Sequence, residues 1–156
     1  MSDATRSLSV PALAPLLVMG SPRSGTTFLA QMVNRFFDIH ICRDNGTMLR
    51  FHRILSHYLP LSDDANLGRL IGHLYEDFYF RQRLIGRGFS LTQKELLGRI
   101  PQRTYGGLIE AIFSATARSH EKSTWGYKRA SFARVEGHHI DELFPRARFA
   151  SSVSGR

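Results

Sequence analysis

The stretch Leu16-Leu17-Val18-Met19-Gly20-Ser21-Pro22-Arg23-Ser24-Gly25-Thr26-Thr27-Phe28-Leu29 constrains the fold more than any other part of the chain. A short apolar run closed by glycine is the pattern of a strand buried on both faces, as found in parallel sheets covered by helices. Apolar residues resume at Phe28, Leu29, Met32, Val33, Phe36 and Phe37, which is helical spacing. The segment therefore predicts strand, loop, helix. Gly20 and Gly25 have the spacing of a phosphate-binding loop, yet Thr26 stands where a nucleotide triphosphatase has lysine.

Backbone N–H groups at a helix N-terminus bind an oxyanion through aligned donors and the helix dipole. Gly25 allows close approach, and Thr26 and Thr27 add hydroxyl donors. Arg23 brings a fixed charge whose planar fork suits phosphate. A triphosphatase needs its lysine for the β- and γ-phosphates, and an adjacent Ser or Thr for Mg²⁺. Without that pair, the anion expected here carries less charge and needs no metal. A structural turn feeding a helix is the plainer reading of the same residues.

Downstream, Asp38-Ile39-His40-Ile41 reads as a second strand ending in the turn signal Asp44-Asn45-Gly46. Leu67, Leu70, Ile71, Leu74, Tyr75 and Phe78 form one helical stripe; Tyr105, Leu108, Ile109, Ile112 and Phe113 form another. Thr92 and Glu95 make a capping box ahead of Leu96. Trp125-Gly126-Tyr127-Lys128 reads as extended. Val135, Ile140, Leu143 and Phe144 suggest a helix ended by Pro145, and Ala147-Arg148-Phe149-Ala150 opens another strand. Strands separated by helices predict an α/β fold with a largely parallel sheet. Residues 1–14 read as a flexible leader, 15–150 as one domain and 151–156 as a tail.

Charge and cysteine content narrow the function classes. Lys and Arg number 21 against 13 Asp and Glu, a net charge of +8. That balance fits a solvated basic surface or attraction to a polyanion, either a nucleotide or a nucleic acid. The charges are scattered without a Lys/Arg block, which argues against a nucleic-acid arm. Cys42 is the single cysteine, so no internal disulfide is expected and a reducing, cytoplasmic setting suits the chain. Arg6 and the apolar residues after it resemble a short signal sequence, but Pro11 and Pro15 interrupt it. No run approaches the roughly 18 apolar residues of a membrane span. His52 with His57, His120-Glu121 and His138-His139 lack metal-ligand spacing, and no metal is expected.

Pro22-Arg23-Ser24-Gly25-Thr26-Thr27-Phe28-Leu29 resembles the 5′-phosphosulfate loop of sulfotransferases that use 3′-phosphoadenylyl sulfate (PAPS), in the form similar to the tyrosylprotein and bacterial branches. Trp125-Gly126-Tyr127-Lys128 resembles the WGxK segment of bacterial members, and Leu143-Phe144-Pro145-Arg146-Ala147-Arg148-Phe149 their LFPxARF run. The resemblance implies a three-layer P-loop-like fold and sulfuryl transfer from PAPS to a hydroxyl or amine acceptor. It implies that Pro22 to Phe28 hold the donor, that Arg23 aids catalysis, and that Lys128 touches the sulfuryl or leaving group. The acidic residue used as base in the tyrosylprotein enzymes falls on Asp44, and Asp38 matches an aspartate at their helix end. Asp44 equally suits the role of turn residue, and Lys128 that of a surface lysine. Family members hold the 3′-phosphate from a strand after LFPxARF and the helix beyond it. Here Phe149 leads only to Ala150 through Arg156, so the expected fold is incomplete at that end and transfer by this chain alone weak or absent. The rival classes are a P-loop kinase using ATP or GTP, and a non-enzymatic module binding anions or nucleic acid.

Overall fold

The computed structural model describes residues 14–20, 23–43, 46–129 and 143–152. Strand β1 (Leu16–Gly20) leads into helix α1 (Thr26–Phe36), then β2 (Ile39–Cys42) and α2 (Thr47–Arg53). The helices α3 (Asp64–Glu76), α4 (Phe78–Arg83), α5 (Gln93–Arg99) and α6 (Tyr105–Ser119) follow, before β3 (Thr124–Arg129) and β4 (Arg148–Ser152). The four strands form one sheet in the order β2-β3-β1-β4, and every pairing is parallel. This is the mixed α/β architecture expected from the strand–loop–helix pattern. The helix expected around Val135 and Ile140, the leader up to residue 13 and the tail from 153 lie outside the described residues.

Alternation along the strands divides the core in two. On one face Val18 and Ile41 pack with Ala30 and Val33 of α1. On the other, Leu17, Cys42, Trp125 and Tyr127 join the larger core built by α2 to α6. Phe113 of α6 lies against both Trp125 and Tyr127, with ring centroids 5.3 Å apart in each case. Leu108, Ile109 and Ile112 are buried beside it, as their spacing predicts. The sheet is thus sandwiched between α1 and a helical layer.

Two helical stripes differ from the sequence expectation. The stripe through Leu67, Leu70, Ile71 and Leu74 is buried, but Phe78 is 66% exposed and belongs to the next helix. Asp77 breaks the run: its carboxylate accepts from Phe80 N–H at 2.9 Å and starts α4. Helix α1 forms where predicted, yet it buries Thr26, Ala30 and Val33 while Phe28 and Phe36 stand more than 60% exposed. Other ends follow local chemistry. Asp63 caps α3 through Ala65 N–H at 2.7 Å, and Thr92 with Glu95 forms the expected capping box on α5.

His40, on β2, turns toward α6 and stacks on His120 at 3.9 Å with a 7° interplanar angle. His120 Nε2 lies 2.7 Å from the Arg87 carbonyl; a carbonyl only accepts, so Nε2 carries the proton. Burial, and then the neighbouring His120 and Lys122, push His40 from 6.5 down to about 4. Below pH 6.5 the unfolded chain therefore takes up a proton that the folded chain refuses until about pH 4. Stability should hold above pH 6.5 and fall as the pH drops through that window. Urea unfolding of the wild type and His40→Gln across pH 4–7 should show a flatter profile for the variant; identical slopes would contradict the assignment.

Candidate functional site

In an open parallel sheet, ligands bind outside the carboxyl ends of strands whose onward connections run in opposite directions. The connection from β1 runs past β3 to β2, while that from β3 runs past β1 to β4. The crevice between the ends of β1 and β3 is thus the switch point, and the Gly25 loop and Lys128 both border it.

The loop geometry follows from its residues. Gly25 lies in the left-handed region at φ 84° and precedes α1, a conformation natural to glycine. Among the described residues nothing lies within 4 Å of where a Cβ on Gly25 would sit, which leaves the space over the loop open to them. Arg23 also has positive φ, at 66°, a conformation that costs a non-glycine residue about 1–2 kcal/mol. The first helical bond runs from Leu29 N–H to Gly25 C=O at 2.9 Å. The N–H groups of Thr26, Thr27 and Phe28 precede it and have no helical acceptor. Among the described residues no side chain caps this end, and the first turn carries no acid. The donors and the helix dipole are left to face an anion. Thr26 is buried, Thr27 exposed, and the Phe28 ring 65% exposed, so Phe28 can offer its backbone N–H rather than its ring.

Lys128 completes this arrangement. The β1–β3 register sets it beside Val18, on the face covered by α1, where its Nζ donates to Thr27 Oγ1 at 2.6 Å. Because the Thr27 oxygen accepts from Lys128, its own O–H remains to be donated. Burial, and next the charge of Arg43, lower the Lys128 pKa from its ordinary value. Arg43 follows β2 directly, and the β2–β3 register brings it level with Lys128. The sequence reading passed over Arg43, although a cation placed just beyond a parallel strand was a usable signal. Among the described residues no carboxylate is ion-paired with Arg43 or Lys128.

Pro22 and Asp44 lie outside the described residues. Asp38 is accounted for differently from a base. It accepts from the Ser123 backbone at 2.9 Å and from the Ser123 hydroxyl, which together hold its carboxyl below the usual range. It clamps α1 to the start of β3, at the sheet edge remote from the loop. Among the described residues, no group of three or more His, Cys, Asp or Glu is arranged to hold a metal. No described helix is long and apolar enough to cross a membrane.

An all-parallel sheet with an uncapped glycine loop and a lysine from the neighbouring strand defines a mixed α/β protein with a P-loop-like edge. The chain belongs to the sulfotransferase family, whose model matches residues 15–153, from just before β1 to just beyond β4. No curated protein and no solved structure matches it.

NMR titration of the Lys128 ammonium should give a midpoint below the ordinary lysine value. Arg43→Ala should restore part of the difference but not all, since burial is the larger cause. A midpoint unmoved by Arg43→Ala would separate the two side chains.

Proposed function

We propose that this chain binds PAPS and supports transfer of its sulfuryl group to a hydroxyl or amine acceptor. The single observation that carries this reading is the α1 start. Three N–H groups without helical acceptors, the Thr27 hydroxyl and Lys128 converge on an edge that has no capping acid among the described residues. These residues fit a phosphosulfate: the donors are directional, the charges fixed, and the space over Gly25 open. The donor supplies an activated sulfur whose bond to the 5′-phosphate oxygen breaks as the acceptor oxygen or nitrogen bonds to it.

In this reading, the N–H groups of Thr26 to Phe28 and the Arg23 guanidinium hold the 5′-phosphate. Lys128 and the Thr27 O–H stabilise the negative charge that grows there as the electron pair arrives. Most of the rate then comes from position and electrostatics, with no covalent enzyme intermediate. Asp44, just beyond β2, takes the acceptor proton. A kinase reading would need a lysine in place of Thr26, and the loop has none.

Titration calorimetry with 3′,5′-adenosine bisphosphate tests the donor half. Arg23→Ala should weaken binding by about 1.5–3 kcal/mol, the worth of a charge-assisted hydrogen bond, and EDTA should leave wild-type binding unchanged. Binding that needs Mg²⁺ would overturn the reading.

The base is tested through turnover. In a sulfotransferase that carries the same loop and transfers from PAPS, changing the residue matching Asp44 to Asn should lower kcat about 10²–10⁴-fold. Donor affinity should stay nearly constant. Unchanged kcat would leave Asp44 as a turn residue.

A further inference from the structure

A half-open cavity of about 570 Å³ lies against the outer edge of β2, bordered by Asn34 of α1, by α6 and by the end of α4 with the turn that follows it. That is the size of a small-molecule site. Its polar wall is cationic: Arg43, Arg83 and Arg87 line it, no Asp or Glu among the described residues does, and His40 and His120 stand beside them. Among the described residues, none of the three arginines is paired with a carboxylate. The Nε of Arg83 is buried without a hydrogen-bond partner. Leaving a buried donor of a charged group unmade is costly, and such a group points to something that would complete it. His40 is neutral at pH 7, while the three guanidinium groups carry fixed charge and their forks match planar oxyanions.

The wall is held in place independently of any ligand. His120 Nε2 donates to the Arg87 carbonyl at 2.7 Å. Gly88, at φ 112°, presses so closely on Ser119 and His120 that a Cβ there would lie 3.1 Å from His120 Nε2. The donor loop is elsewhere: it follows β1, and β3 lies between β1 and β2. At the usual strand spacing that offset is about 10 Å. Arg43 links the two, since it lines the cavity and also bears on Lys128.

We propose that this cavity binds an oxyanion carried by the acceptor, such as a carboxylate, sulfate or phosphate group. The chain thereby selects acceptors that are already anionic. This assignment rests on the sulfuryl-transfer reading for the word acceptor, while the anion site itself stands on the cavity. A molecule with its nucleophile and its anion at opposite ends, about 10 Å apart, would span β3 from loop to cavity.

Titration calorimetry on the whole chain, saturated with 3′,5′-adenosine bisphosphate, tests it with 4-(4-hydroxyphenyl)butanoate and its neutral amide. The acid should bind ten- to hundredfold more tightly than the amide, as expected for charge-assisted hydrogen bonds. Arg83→Gln with Arg87→Gln should abolish that preference and leave adenosine bisphosphate affinity unchanged. The double lysine variant, which keeps the charge, should retain a preference. Arg23→Ala should do the reverse, weakening bisphosphate binding about ten- to hundredfold and keeping the preference for the acid. Equal affinities for acid and amide, or a preference that survives the glutamine pair, would overturn the proposal. Inorganic sulfate displacing the acid at concentrations below the acid's own Kd would assign the cavity to a free anion and overturn the acceptor role. Failure of the bisphosphate to bind the wild type, with the acid preference intact, would instead sink the donor reading and leave the cavity standing.

Discussion

The close approach of β3 to its neighbours at Gly126 is the contact on which the candidate site depends. A Cβ at Gly126 would come within 2.6 Å of the Leu16 carbonyl and nearer still to the Ile41 side chain. Glycine lets Ile41 fill that space, and Ile41 in turn packs with Ala30 and Val33 of α1. The helix packs over this part of the sheet through those residues, its start beside the end of β3. Two residues further along the same strand, and on the same face, Lys128 meets Thr27. Alternation on the other face sends Trp125 and Tyr127 to Phe113. One strand thus anchors the large core with its aromatic residues and supplies the site with its cation.

Electrostatics at this edge run in one direction. The α1 start carries the positive end of its dipole, and Arg23, Arg43 and Lys128 add full charges near the sheet's carboxyl edge. Acids elsewhere are spent on structure. Asp63 caps α3, Asp77 caps α4 and pairs with Arg50, Asp38 clamps β3, and Glu95 closes the α5 box. These four acids stabilise helix starts and chain crossings, and none of them is ion-paired with the cations at the edge. Burial is the larger cause of the lowered Lys128 pKa, and the part that Arg43 adds is the local sign of that imbalance.

How much of this was legible in the sequence depended on range. β1, the loop and α1 were readable because an apolar run, a glycine pair and helical spacing lie within one short stretch. The capping box on α5 was readable for the same reason. The Phe78 stripe failed because periodicity does not register a cap, and Asp77 starts a new helix inside an unbroken 3.6-residue pattern. The α1 stripe gave the right helix but not its buried face: Val33 and Leu29 of the stripe pack with Ala30 at the sheet, while bulky Phe28 and Phe36 turn outward. Lys128 could be named only through a family likeness, since its meeting with Thr27 spans a hundred residues of chain. Arg43, Arg83 and Arg87 were invisible together, because β2 and the end of α4 become neighbours only once the helical layer has folded.

The outer rim of β2 shows how the fold treats an unpaired strand. Asn34 reaches from α1 and accepts from Ile41 N–H at 2.6 Å, filling a backbone position that another strand could otherwise take. Beyond it Arg43, Arg83 and Arg87 line the approach together with Leu84 and Gly88. An edge with its donor satisfied and its approach guarded by like charge is a poor template for a second copy of itself. The side chains that would attract a small anion would also repel a stray β-strand, so one set of charges would serve both ends.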